Sequence, residues 1–127
     1  MNAVLAGKKI LILEDEFLIA LEASEALEQF GAIVVGPAHD IDTALELVRN
    51  NSIDGALLDV NIRGALSIPV AAALEEKGVP VVFATGYGDH FGSAGAASVI
   101  GKPYTRAQLA EAFEQKFADL RDKIRQN

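Results

Sequence analysis

The sequence predicts an α/β domain: a doubly wound, five-stranded parallel sheet with helices on both faces. Three observations predict it. Five short apolar runs lack polar alternation, helix-like stretches separate them, and 127 residues are enough for one domain with a real core. Half of the residues are apolar and 23% are charged, which is the composition of a globular chain and not of a disordered one.

The first run, KKILIL (8–13), reads as a strand buried on both faces. In the helix that follows, Phe17, Leu18, Leu21 and Leu27 mark the apolar side, and Gly31 after Phe30 closes it. AIVVG (32–36) is the second strand. Asp40 then N-caps a helix through Ile41, Ala44, Leu45 and Val48, which breaks at Asn50-Asn51-Ser52. GALLD (55–59) is the third strand, and a helix from roughly Leu66 to Lys77 ends at Gly78, with Pro80 beyond. VPVVFA (79–84) is the fourth strand and the weaker ASVIG (97–101) the fifth. Between them, DHFGSAGAAS (89–98) is rich in glycine and small residues, so a fourth helix there is short or irregular. Thr105 caps the last helix, where Leu109, Phe113, Phe117, Leu120 and Ile124 recur at core spacing and Glu114, Arg121 and Lys123 form an exposed face. Right-handed crossovers join parallel strands in such alternations.

Bulk properties exclude several classes. A net charge of −7 with no Lys/Arg cluster argues against nucleic-acid binding. The absence of cysteine removes disulfides, thiolate metal sites and cysteine nucleophiles, and fits a reducing compartment. No apolar run, Ile10 to Leu13 included, is long enough to span a bilayer, and the start does not read as a signal peptide. The expectation is a soluble, cytoplasmic single domain, 1–127, with no output domain and no membrane contact.

In open parallel sheets, ligands bind outside the carboxyl ends of the strands. The first strand is followed by Glu14-Asp15-Glu16, the third ends in Asp59, Thr85 follows the fourth, and Lys102-Pro103 follows the fifth. If the first and third strands are neighbours, their carboxylates converge, and like charges so close call for a proton or a cation. Oxygen-only ligands favour a hard ion, with Mg²⁺ the expected one. A carboxylate such as Asp59 can also act as a nucleophile toward a phosphoryl group, whose oxygens the metal, Lys102 and Thr85 would neutralise. Gly86 beyond Thr85 would let main-chain N–H groups approach that anion. Taken singly, each residue has a plainer reading. The acidic pair can be a solvated loop or a helix start, Asp59 and Thr85 caps or turn residues, and Lys102 a surface lysine.

Taken together, Glu14-Asp15, Asp59, Thr85 and Lys102-Pro103, in that order, resemble the receiver domain of two-component response regulators over about residues 8 to 124. FATGYG (83–88) is similar to the Phe-Ala-Thr-Gly-aliphatic-Tyr signature of a receiver subgroup, the FATGUY type, often stand-alone and found in alphaproteobacteria. The resemblance implies a flavodoxin-like sheet of order 2-1-3-4-5, with Asp59 as phosphoacceptor. It implies an Mg²⁺ site of Glu14, Asp15, Asp59 and the main-chain carbonyl of Asn61, Thr85 as switch hydroxyl and Lys102 as phosphate-binding lysine. It also implies a cis Lys102-Pro103 bond, and as partner a histidine kinase or histidine phosphotransfer protein, with a downstream protein receiving the signal.

Three positions depart from the family. Arg63 stands where most receivers have Pro four residues after the acceptor; it can bind phosphate or a partner carboxylate, or be a solvated turn residue. Val99 occupies the place of the aromatic switch, so Tyr87 is expected to take over part of that role and to slow loss of the phosphoryl group. The glycine-rich stretch after Tyr87 suggests ordering on phosphorylation or partner binding. Glu16 reads as a first-turn helix residue, and His39 and His90, lacking partners at metal spacing, as solvated.

Other classes fit less well. A haloacid-dehalogenase-type phosphatase would need an Asp where Asn61 stands, to serve as general acid. A flavin phosphate would be repelled by the acidic loop. An unphosphorylated pseudo-receiver scaffold is the closer rival.

Overall fold

The computed structural model describes residues 4–86 and 98–125. Five strands, β1 (Lys9–Leu13), β2 (Ile33–Ala38), β3 (Gly55–Asp59), β6 (Val81–Thr85) and β7 (Ser98–Gly101), form one sheet in the order β2-β1-β3-β6-β7. Every pairing in it is parallel. This is the expected α/β fold and strand order, and the neighbouring of β1 and β3 meets the condition for convergent carboxylates.

Parallel strands covered on both faces need near-continuous apolar runs, and Ile10–Leu13, Ala56–Leu58 and Val81–Ala84 in the centre of the sheet supply them. On one face Leu11, Leu13, Ala56, Leu58, Val81 and Phe83 pack against α2 (Ile41–Asn50) and α3 (Ile68–Glu76), through Ala44, Val48, Val70 and Leu74. On the other, Ile10, Ile12, Leu57, Val82 and Ala84 pack against α1 (Phe17–Gln29) and α4 (Arg106–Arg125), through Ala23, Leu27, Leu109 and Phe113. Emptying one such buried position to Ala costs about 2–5 kcal/mol.

The caps follow the sequence. The Asp40 carboxylate accepts from Thr43 N–H at 2.7 Å. Thr105 accepts from Gln108 N–H at 3.0 Å, while the Gln108 side chain accepts from Thr105 N–H at 2.8 Å, a reciprocal capping box. Lys102-Pro103 is cis, and so is Gly36-Pro37.

Four expectations are corrected. On α1 only Leu27 of the apolar set is buried; Phe17 and Leu18 are 67% and 71% exposed and Leu21 is exposed too. The buried face consists of Ala20, Ala23, Ser24, Ala26 and Leu27, because small side chains let the helix lie close to the sheet. The third helix begins at Ile68, since Leu66 belongs to a small antiparallel hairpin of β4 (Asn61–Ile62) and β5 (Ala65–Leu66). Glu16 is the N-cap residue of α1, not part of its first turn. Ile124 is exposed because α4 runs on past the sheet that buries Leu109 and Phe113. The predicted irregular helix after Tyr87, together with Tyr87 and His90, lies outside the described residues. Among the described residues, no helix is long and apolar enough to cross a membrane.

Candidate functional site

The register of the sheet brings the strand ends to one place. Leu13 pairs with Leu58, Asp59 with Ala84, and Thr85 with Gly101, so the residues that follow step across neighbouring strands. The ladder continues past the strands through Glu14 N–H to Ala38 O (2.9 Å), Val60 N–H to Ala84 O (3.1 Å) and Lys102 N–H to Thr85 O (2.8 Å). Asp15, Asp59, Asn61, Thr85, Gly86, Lys102 and Tyr104 line a cavity of about 600 Å³ at this end.

Its centre is an ion triplet. Lys102 Nζ lies 2.9 Å from Glu14 Oε1 and 2.9 Å from Asp59 Oδ2, with all three side chains largely withdrawn from solvent. Asp59 Oδ1 accepts a longer bond from Asn61 N–H, at 3.3 Å. Asp15 is less buried, and its Oδ2 accepts from Arg63 N–H at 3.0 Å. One carboxylate oxygen from each of Glu14, Asp15 and Asp59 lies within 4.8 Å of the others.

Three carboxylates against one ammonium is an unbalanced set. Burial pushes the Glu14 carboxyl up from 4.5 to about 7, against the bonds from Lys102 and Glu16 N–H, and the Asp59 charge adds to the rise. For Asp15, burial is the largest single influence and acts upward. The Arg63 N–H bond, the Glu14 carboxyl and the Lys102 charge outweigh it and hold Asp15 below its usual value. Lys102 is raised above its ordinary range, because its hydrogen bonds and charge contacts with Glu14 and Asp59 overcome burial. Burial, then the Glu14 charge, push the Tyr104 phenol up to about 12.

This donor set, oxygen only and with excess negative charge, fits a hard divalent cation better than a soft one. Thr85 is buried, and its hydroxyl donates to Gly86 O at 3.2 Å. Asn61 is exposed on β4 and accepts from Gly64 N–H at 2.9 Å through its side chain. Glu14, Asp15, Asp59, Asn61, Thr85 and Lys102 are thus brought to one site, while Tyr87 is outside the described residues. Val99 is partly buried against the α2–α3 side of the core.

Sequence reasoning missed three contributors. The Arg63 side chain is exposed in the hairpin turn, and its main-chain N–H holds Asp15. Tyr104 lines the cavity wall, which its place two residues after Lys102 signalled. His39 is not solvated: it is half-buried, 2.8 Å from the Glu14 carbonyl through Nδ1, with its ring beside Phe17. A main-chain partner leaves no residue-type signal in a sequence.

The family described as "Response regulator receiver domain" matches residues 10–114. Transcriptional regulatory protein PdtaR of Mycobacterium tuberculosis is 29% identical over 121 residues; the match covers 91% of this chain but 59% of that relative, so the chain spans well under two thirds of it. The solution structure of SdrG from Sphingomonas melonis Fr1 is 39% identical with a TM-score of 0.76, covering 88% of this chain and 96% of that one. A response regulator receiver protein from Sinorhizobium medicae WSM419 is 25% identical with a TM-score of 0.80, covering 90% and 97%. The family match runs from β1 into α4, and the chain belongs to the response regulator receiver domain family of two-component signalling.

Proposed function

We propose that the domain is a phosphoacceptor switch in which Asp59 takes a phosphoryl group from a phosphohistidine donor, on a histidine kinase or histidine phosphotransfer protein. The observation that carries this reading is the Lys102 ammonium placed 2.9 Å from both Glu14 and Asp59 within an acidic cluster. An Asp59 carboxylate oxygen attacks phosphorus, the bond from phosphorus to the donor imidazole nitrogen breaks, and the imidazole leaves with the electron pair and takes up a proton. Glu14, Asp15, Asp59 and the Asn61 carbonyl would hold Mg²⁺, which when bound supplies positive charge to the transferring group. Lys102 gives up its Asp59 contact for a phosphoryl oxygen, and the Thr85 hydroxyl leaves the Gly86 carbonyl to donate to another. Phe17 and Leu18, exposed at the start of α1 beside the cavity-lining Asp15 and Glu16, offer the donor protein an apolar landing face.

The finer assignment is to the FATGUY-type subgroup, on FATGYG at 83–88, with Tyr87 serving in place of the ring absent at Val99. The output is a change in protein–protein contacts or removal of phosphate from a kinase, and the setting is the cytoplasm. A pseudo-receiver or phosphatase reading gains no support from a complete acceptor set with Asn61 in place of an acid.

The test is intact mass during incubation with Mg²⁺ and a small phosphodonor such as phosphoramidate. One phosphoryl group should be gained with Mg²⁺ and none with a chelator or in Asp59→Asn. If beryllofluoride with Mg²⁺ also leaves the amide spectrum unchanged, the reading fails.

A further inference from the structure

His39 follows β2 directly and is fixed from both sides along the chain. Ala38 before it accepts from Glu14 N–H at 2.9 Å, and Asp40 after it caps α2. Its ring stands 6.1 Å from that of Phe17, and its Nδ1 is 2.8 Å from the Glu14 carbonyl. A carbonyl only accepts, so Nδ1 carries the proton and donates. Both main-chain polar groups of Glu14 are therefore held by residues 38 and 39. The Glu14 carbonyl shares one rigid peptide plane with the nitrogen of Asp15. One bond to that carbonyl thus orients the unit from which both acidic side chains spring.

We infer that His39 is a positioning residue for the acidic pair: by holding the Glu14–Asp15 peptide plane it keeps both carboxylates turned toward Asp59 and so sets the affinity of the site for a divalent cation. This rests on the metal reading given under Proposed function. Partners of this kind typically change metal affinity by ten- to a hundredfold. Without the bond, the carbonyl of a residue that is only 4% exposed loses its partner, and the plane is free to turn.

The test uses Mn²⁺ as the probe, titrated into the protein while the electron paramagnetic resonance signal of the free ion is followed, well below the melting transition. His39→Leu keeps the apolar contact with Phe17 and should bind about tenfold more weakly. His39→Asn, whose amide nitrogen falls near the Nδ1 position, should restore binding to within about threefold. Binding by the wild type that is lost in Asp59→Asn but unchanged in His39→Leu would overturn this inference alone. A wild type that takes up no Mn²⁺ would overturn the metal reading and this inference with it. If His39→Leu fails to fold, His39→Asn against His39→Gln decides, because the longer arm moves the amide off the carbonyl. Weaker binding by the Gln variant supports the tether, and equal binding overturns it.

Discussion

Lys102 Nζ sits 2.9 Å from Asp59 Oδ2, a contact made across a sequence separation of 43 residues by the ends of β3 and β7. The same ammonium is shared with Glu14, so one cation offsets two carboxylates that would otherwise repel.

Lys102→Met removes that cation while keeping the bulk. Glu14 and Asp59 then lack their shared cation and must face each other charged or take up a proton, and the expected loss is on the order of 3 kcal/mol at pH 7.5. Millimolar Mg²⁺ should stabilise this variant more than the wild type. Urea unfolding with and without Mg²⁺ measures both effects, and an equal response in the two proteins would speak against a shared site.

Stability should also depend on pH through Glu14. Its folded value of about 7 exceeds the ordinary 4.5. The folded state therefore holds a proton that the unfolded chain releases. This contribution is fully present below 4.5 and is lost as pH rises through about 7. Asp15 is shifted the other way, so its contribution falls away only below its ordinary 3.8, and that of Lys102 persists throughout neutral pH. Without divalent cations, unfolding free energy should thus fall between pH 5 and 7.5. Glu14→Gln should flatten that slope, as denaturation midpoints across the range would show.

Two glycines separate backbone strain from crowding. Gly64, at φ +88°, has open space where a Cβ would point, so Gly64→Ala should cost about 1 kcal/mol by strain alone. Gly36, at φ +98°, would place a Cβ 2.8 Å from Ala38 N and 3.3 Å from Ile12 O. Gly36→Ala should therefore cost roughly 3 kcal/mol or more. Because Gly36 lies in the register break of β2 that delivers Ala38 and His39 to Glu14, its substitution should also weaken cation binding, whereas Gly64→Ala should do so less. Thermal melts and Mn²⁺ titration of the pair give the comparison.

The sheet was legible because its strands are covered on both faces, and Ile10–Leu13 or Val81–Ala84 admit no polar residue. The site was legible because its side chains follow strand ends whose order the resemblance supplied. The face of α1 was misread because large apolar residues suggest a buried side, whereas Ala20, Ala23 and Ala26 are what the sheet accepts. The hairpin from Asn61 to Leu66 escaped because two-residue strands carry no period. The contributions of His39 and Arg63 were hidden because one acts on a carbonyl and the other through its own main-chain N–H.

If Asp59 is the acceptor, served by Lys102, Thr85 and the acidic pair, the acyl phosphate forms on that one side chain. Borohydride reduction of phosphodonor-treated protein, followed by peptide mass mapping, tests it most directly, since an aspartyl phosphate is converted to homoserine where it stood. Homoserine is expected at position 59, dependent on Mg²⁺ and sharply reduced in Lys102→Met. Homoserine at another carboxylate, or a stable phosphoryl group that borohydride leaves untouched, would contradict it.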